Sequence, residues 1–176
     1  MRPVETLKRG DRLVTRDNGL KRVMWIGGRT LSYADLAETP ELRPILIREN
    51  AFGDSYPTRD LIVSPEHRFL VDQTVTSLTK GNSEALVAAC HLMDGQAVRP
   101  AAMLGVTYLH VMLSAHEVIL ANGNWTESFH PDDQTLAGIA PHQRKEILQL
   151  FPEIETQGAA RRFPAARPIL KSRFDS

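Results

Sequence analysis

Two short stretches carry residue types suited to acid–base chemistry. In LIVSPEHRFLV, a Ser-Pro-Glu-His tetrad, Ser64 to His67, interrupts an apolar run. In YLHVMLSAHEVILANG, His116 follows a turn at Ser114-Ala115. Imidazole changes charge more readily near neutral pH than any other side chain, so it can deliver a proton to a departing amide nitrogen. His67 and His116 both fall at strand ends, and they converge if their two segments pack together. A lone histidine in a turn is more often a hydrogen-bonded structural residue, so the spacing alone leaves both roles open.

The surrounding pattern predicts what positions these side chains. Leu61, Ile62 and Val63 before the tetrad, and Phe69, Leu70 and Val71 after it, read as two β-strands joined at the bend. Alternation in the second stretch puts Tyr108, His110 and Met112 on one face and Leu109, Val111 and Leu113 on the other. Ser114-Ala115 is then the turn of a hairpin whose second strand runs from Val118 to Leu120. Upstream, Asp17-Asn18-Gly19 separates two β-prone runs and signals another hairpin, because Asn and Gly tolerate positive φ. SYADLAETPEL predicts a helical turn or two ended by Pro40, RPILIREN a strand, and EALVAACHLMDGQAV either a short helix or a strand. Short strands punctuated by Gly, Pro and Asp argue for an all-β domain over residues 1–130. Residues 131–176 differ. APHQRKEILQLFP spaces Ile147, Leu148, Leu150 and Phe151 as a helix between Pro141 and Pro152, and the basic, Ala- and Pro-rich end is expected to be extended and partly mobile.

Composition narrows the function. The 176 residues hold 21 Lys and Arg against 21 Asp and Glu, so no global field draws in nucleic acid or a membrane. Cys90 is the sole cysteine, which excludes an intrachain disulfide and a multi-cysteine zinc site; it reads as a small buried thiol. His67, His110, His116 and Glu117 are metal-ligand types without His-x-x-x-His or Cys-x-x-Cys spacing, so no metal and no cofactor are expected. Gly27-Gly28 has no following helix to bind phosphate, and no Gly-x-Ser-x-Gly marks a conventional hydrolase. Trp25 and Trp125 read as packing residues. The opening MRPVETLKRGDRLVTRDNG has no apolar segment of signal-peptide length, and no stretch is long enough to span a bilayer; the compartment stays open.

In order along the chain, RPVETLKRGDRLVTRDNG, VMWIGGRT, PELRPILIRENAFG, RDLIVSPEHRFLV, CHLMDG and VTYLHVMLSAHEVILANGNWTESF resemble the Hint (Hedgehog/intein) autoprocessing domains, most closely their bacterial stand-alone branch. The matching intein turn is Thr-x-x-His; here Ser64 replaces the threonine and His67 keeps the histidine. A second intein block runs Tyr, five strand residues, two turn residues, His, and Tyr108 and His116 fall at those spacings. The resemblance implies a Hint fold, a twisted horseshoe of strands with pseudo-twofold halves. It also implies an intramolecular N–S or N–O acyl shift, in which an opening Cys or Ser attacks the preceding peptide bond of the protein's own upstream segment. On that basis His67 is the general acid, Ser64 its positioning partner, and His116 a supporting or second-step histidine.

The chain also departs from that pattern. Family members carry a Cys or Ser on a strand ahead of the RPVE segment, whereas this sequence starts Met1-Arg2-Pro3, and Cys90 lies in an unrelated segment. NWTESF lacks the terminal His-Asn pair, so asparagine cyclisation and full splicing are not expected; Leu109 stands where some inteins place an acidic residue. The expectation is a truncated or diverged autoprocessing domain, inactive as written. The alternative is a non-catalytic protein-interaction module on the same scaffold. Loss of an opening strand exposes a sheet edge, so a strand-pairing homodimer is a further expectation.

Overall fold

Asp17 and Asn18 turn the chain between β1 (Arg12–Thr15) and β2 (Gly19–Arg22) in the computed structural model, which describes residues 2–53, 55–72 and 84–170. The pair is in register from Arg12 opposite Arg22 to Thr15 opposite Gly19, as the turn chemistry predicts. β3 (Trp25–Ser32) leads into α1 (Tyr33–Glu38), where Ser32 and Asp35 form a capping box that starts the short helix read from SYADLAETPEL. There follow β4 (Ile45–Ile47), β5 (Leu61–Val63), β6 (Arg68–Asp72), β7 (Glu84–Ala88), β8 (Val98–Pro100), β9 (Gly105–Met112), β10 (Val118–Ala121) and β11 (Asn124–Glu127). The ambiguous EALVAACHL segment is strand first and then a 3₁₀ turn, Ala89–Leu92.

With β12 (Ile169–Leu170) near the end of the described residues, the strands form a seven-stranded sheet in the order β12-β7-β6-β11-β10-β1-β2, a β3–β9 ribbon, and a three-stranded sheet β5-β4-β8. The all-β reading therefore holds. Two pairings differ from local expectation. β5 belongs to the small sheet and β6 to the large one, so the Ser-Pro-Glu-His bend carries the chain between sheets. β9 and β10 do not form the expected hairpin. β9 is paired along all eight residues with β3, from Trp25 opposite Met112 to Ser32 opposite Gly105, and β10 joins β1 and β11 instead. The eight-residue ladder satisfies more backbone groups than a four-residue hairpin could, and Asn122-Gly123 offers β10 a tighter local turn.

Alternation along β9 is as predicted. Met112 packs with Trp25 in one core cluster, while Val111 and Leu113 pack with Val23 in another. Trp25 lies across Gly27, where an added Cβ would sit 2.1 Å from the indole, so only glycine fits beneath it. The first cluster extends into the C-terminal helices α2 (Asp133–Gly138), α3 (Pro141–Leu150), α4 (Glu153–Gln157) and α5 (Ala159–Arg162), through Leu136, Ile147, Phe151, Ile154 and Phe163. Each such side chain, once buried, contributes about 1.5–3 kcal/mol. Two polar contacts fix the docking: Trp25 Nε1 donates to Glu146 Oε2 at 2.8 Å, and Gln143 Nε2 donates to the Gly28 carbonyl at 2.9 Å.

Residues 157–170, expected to be extended, instead form α5 and β12, which runs parallel to β7. Arg167 pairs with Asp17 at 2.8 Å and with Glu84 at 2.9 Å, tying this segment to the β1–β2 turn. Composition favours an extended chain here, but buried Ala159 and Phe163 and the paired guanidinium offset the ordering cost. The last residues, 171–176, lie outside the described residues. No helix among the described residues is long and apolar enough to cross a membrane.

Candidate functional site

His67 sits where the bend closes on itself, its N–H donating to the Ser64 carbonyl at 3.1 Å. The bend leans on the start of the 3₁₀ turn, since Ala89 N donates to His67 O at 2.9 Å and Cys90 N to Pro65 O at 3.0 Å. The half-buried ring is hydrogen-bonded through Nε2 to Thr126 Oγ1, and Phe69 meets it edge-on at 5.4 Å. Burial pushes the His67 pKa down; the Glu127 carboxylate opposes this and the Arg68 charge adds to it. Ser64 supplies the backbone acceptor of the turn, and among the described residues no hydrogen bond joins its hydroxyl to His67.

His116 occupies a different environment. Its ring is fully buried and stacks on His130, centroids 4.2 Å apart and planes 10° apart. Its Nδ1 accepts the Ala166 N–H at 3.2 Å, so Nε2 carries the proton, and it lies 3.4 Å from Glu127 Oε2. His130 Nε2 donates to the Phe163 carbonyl at 2.8 Å. Burial pushes His130 down, and a charge on His116 pushes it further. The C-terminal segment therefore covers both rings.

Glu127 links the two histidines. It accepts the Arg68 backbone N–H at 3.1 Å and the Arg68 guanidinium at 3.0 Å. Burial raises the Glu127 pKa, but the polar approach of His116 Nε2 and the charge of Arg68 outweigh it and hold the carboxyl below its ordinary range. His67 and His116 thus share consecutive β11 residues, Thr126 and Glu127, without a ring-to-ring contact. The imidazole whose titration His67 depresses is His110, which packs 5.0 Å from Phe129 and is pushed down first by its own burial.

Sequence reasoning finds His67 and His116 but misses Thr126, Glu127, Arg68 and His130. The available signal is Asn122-Gly123, a two-residue hairpin turn that makes NWTE a strand. The other candidates lie apart. Glu117 is buried and accepts Asn18 Nδ2 at 2.9 and 3.1 Å. The Cys90 thiol lies 3.8 Å from Glu66 Oε1, and burial followed by that carboxylate pushes its pKa up, away from thiolate reactivity. Among the described residues no group of three or more His, Cys, Asp or Glu side chains is placed to hold a metal ion.

At neutral pH the half-buried His67 ring favours its neutral form. It can take a proton from a nucleophile and pass it to a leaving nitrogen, while Glu127 balances the transient charge. A family model described as a Hint domain matches residues 1–133. Comparisons with curated proteins and with solved structures find no match.

Proposed function

The chain belongs to the Hint domain family, and from that membership we propose that it is a protein-autoprocessing scaffold in which His67 relays the proton of an intramolecular acyl shift. In this reading a cysteine or serine ahead of Pro3 attacks the carbonyl carbon of the peptide bond before it. The new C–S or C–O bond forms as the C–N bond breaks. The thiol or hydroxyl proton passes to His67 and from there to the departing nitrogen, so the step is an isomerisation that consumes nothing. Protonation is required because an amide anion is far too basic to leave at neutral pH. The single observation that carries the reading is the His67 ring, half-buried at an inter-sheet bend and anchored by Thr126. Ser64 is assigned to orient the scissile amide, and His116, backed by Glu127, to the step that releases the upstream segment.

A polypeptide of residues 1–176 alone stays intact under this reading, since it brings no such nucleophile to His67. The test is to fuse a strand ending in cysteine, preceded by a short peptide, to Arg2 and to follow its mass with added thiol. Thiol-dependent scission that His67→Ala abolishes is the expected result. Scission that survives His67→Ala removes His67 from the mechanism.

A second reading, an interaction module on the same scaffold, has one observation in its favour. Strand register aligns Leu20, Val14 and Leu120 across β2, β1 and β10, and they are 59%, 46% and 43% exposed. With β2 ending the large sheet, two copies pairing along that edge would satisfy its open backbone groups and continue the row into the second copy. A folded fusion that remains intact after prolonged incubation with thiol favours this second reading.

A further inference from the structure

We propose that Thr126 is a positioning residue that holds His67 in its Nε2–H tautomer, making Nδ1 the nitrogen that moves the proton. The assignment of a reaction to that nitrogen rests on the autoprocessing reading; the tautomer itself does not.

A threonine hydroxyl has one hydrogen to donate and lone pairs to accept with. The hydrogen of Thr126 is already committed. The Arg68 carbonyl oxygen, which can only accept, lies 2.8 Å from Thr126 Oγ1. Toward His67 the same oxygen can therefore only accept, so the hydrogen in the Thr126–His67 contact belongs to Nε2. Reversing that bond would set a hydroxyl lone pair against the Arg68 carbonyl oxygen at 2.8 Å. Thr126 is only 3% exposed, so water does not compete for either contact.

The backbone makes this arrangement hard to relax. Thr126 lies opposite Phe69 in the β11–β6 register. The next residue, Glu127, takes the Arg68 N–H, so Thr126 and Glu127 together hold the peptide groups on both sides of the Arg68 α-carbon. His67, one residue earlier, is fixed relative to that clamp. When the ring is doubly protonated, the Nε2 proton stays with Thr126 and the Nδ1 proton is the one released to the departing nitrogen. The Ser-x-x-His spacing does not identify Thr126, which is 59 residues from His67.

The experiment is a long-range ¹H–¹⁵N correlation spectrum of the protein with ring-labelled histidine, at about pH 8, where the ring is neutral. The wild type and Thr126→Ser are expected to show a protonated Nε2 and a bare Nδ1 for His67. Thr126→Val keeps the shape but removes the acceptor, and is expected to shift His67 toward a mixture of tautomers. A wild-type His67 in the Nδ1–H form overturns the proposal, whether or not the valine variant folds. A folded valine variant that keeps a pure Nε2–H ring overturns it too. In the cysteine-bearing fusion, Thr126→Val is expected to slow thiol-dependent scission at least about tenfold, with Thr126→Ser restoring it; an unchanged rate in the valine variant overturns the positioning role. A fusion that never cleaves while the wild-type ring is Nε2–H counts against autoprocessing and leaves the tautomer standing.

Discussion

Three imidazoles, His67, His110 and His130, are held below the ordinary histidine pKa of 6.5, with burial the leading cause in each. The sign of their effect on stability follows from proton uptake. Just below pH 6.5 the unfolded chain protonates these rings while the folded chain resists, so unfolding binds protons and stability falls as the pH is lowered. That loss continues until the native rings themselves protonate. Carboxylates held low by their partners, Asp17 by Arg167 and Glu127 by His116 and Arg68, add a second loss at lower pH. The urea midpoint is therefore expected to decline between about pH 7 and pH 5, ahead of carboxylate titration. A midpoint flat across that interval would mean that the three rings titrate as they do in water.

Among the elements, the β10–β11 hairpin governs the site, because it delivers Thr126 and Glu127 to His67, Arg68 and His116. Its turn residues, Asn122 and Gly123, adopt φ of 47° and 82°. Asn122 O also accepts the Thr58 N–H at 2.9 Å, which seats the neighbouring loop on the turn. An alanine at position 123 would place its Cβ 2.5 Å from the Tyr56 ring in a backbone region that L-residues disfavour. Gly123→Ala is expected to cost about 1–3 kcal/mol in a thermal or urea melt and to displace the His67 ring ¹⁵N shifts. Unchanged shifts would separate the turn from the site. The Asn-Gly pair is visible in the sequence. Ser114-Ala115 competes with it as a hairpin turn only while the partner of β9 is unknown, and that partner, β3, begins far upstream at Trp25.

For the whole molecule, the C-terminal segment is part of the packing. Phe163 is fully buried among Trp25, Met112, Ile147 and Phe151, and its carbonyl accepts from His130. Phe163→Ala removes a large side chain from a closed core and is expected to cost about 3–5 kcal/mol, in a single cooperative transition reported alike by tryptophan fluorescence and circular dichroism. Two separated transitions would instead show that residues 131–170 unfold apart from the strands. The segment also closes over His116, through the Ala166 N–H on Nδ1. A basic, proline-rich composition gives no hint of this, because the contacts that order the segment all lie with distant partners such as Asp17 and Glu84.

The sequence by itself determined what short-range sterics and periodicity control: the all-β class, the Asp-Asn-Gly hairpin, the helix over Pro141–Leu150, the two faces of β9 and a histidine at a bend between strands. Its ordered motifs also determined family membership. Only the tertiary structure decided which strands pair, that β5 and β6 lie in different sheets, and that Thr126 and Glu127 join His67 to His116. Those outcomes depend on which distant segments best satisfy backbone donors and bury apolar faces together. That competition is settled across the whole chain and leaves no local signature.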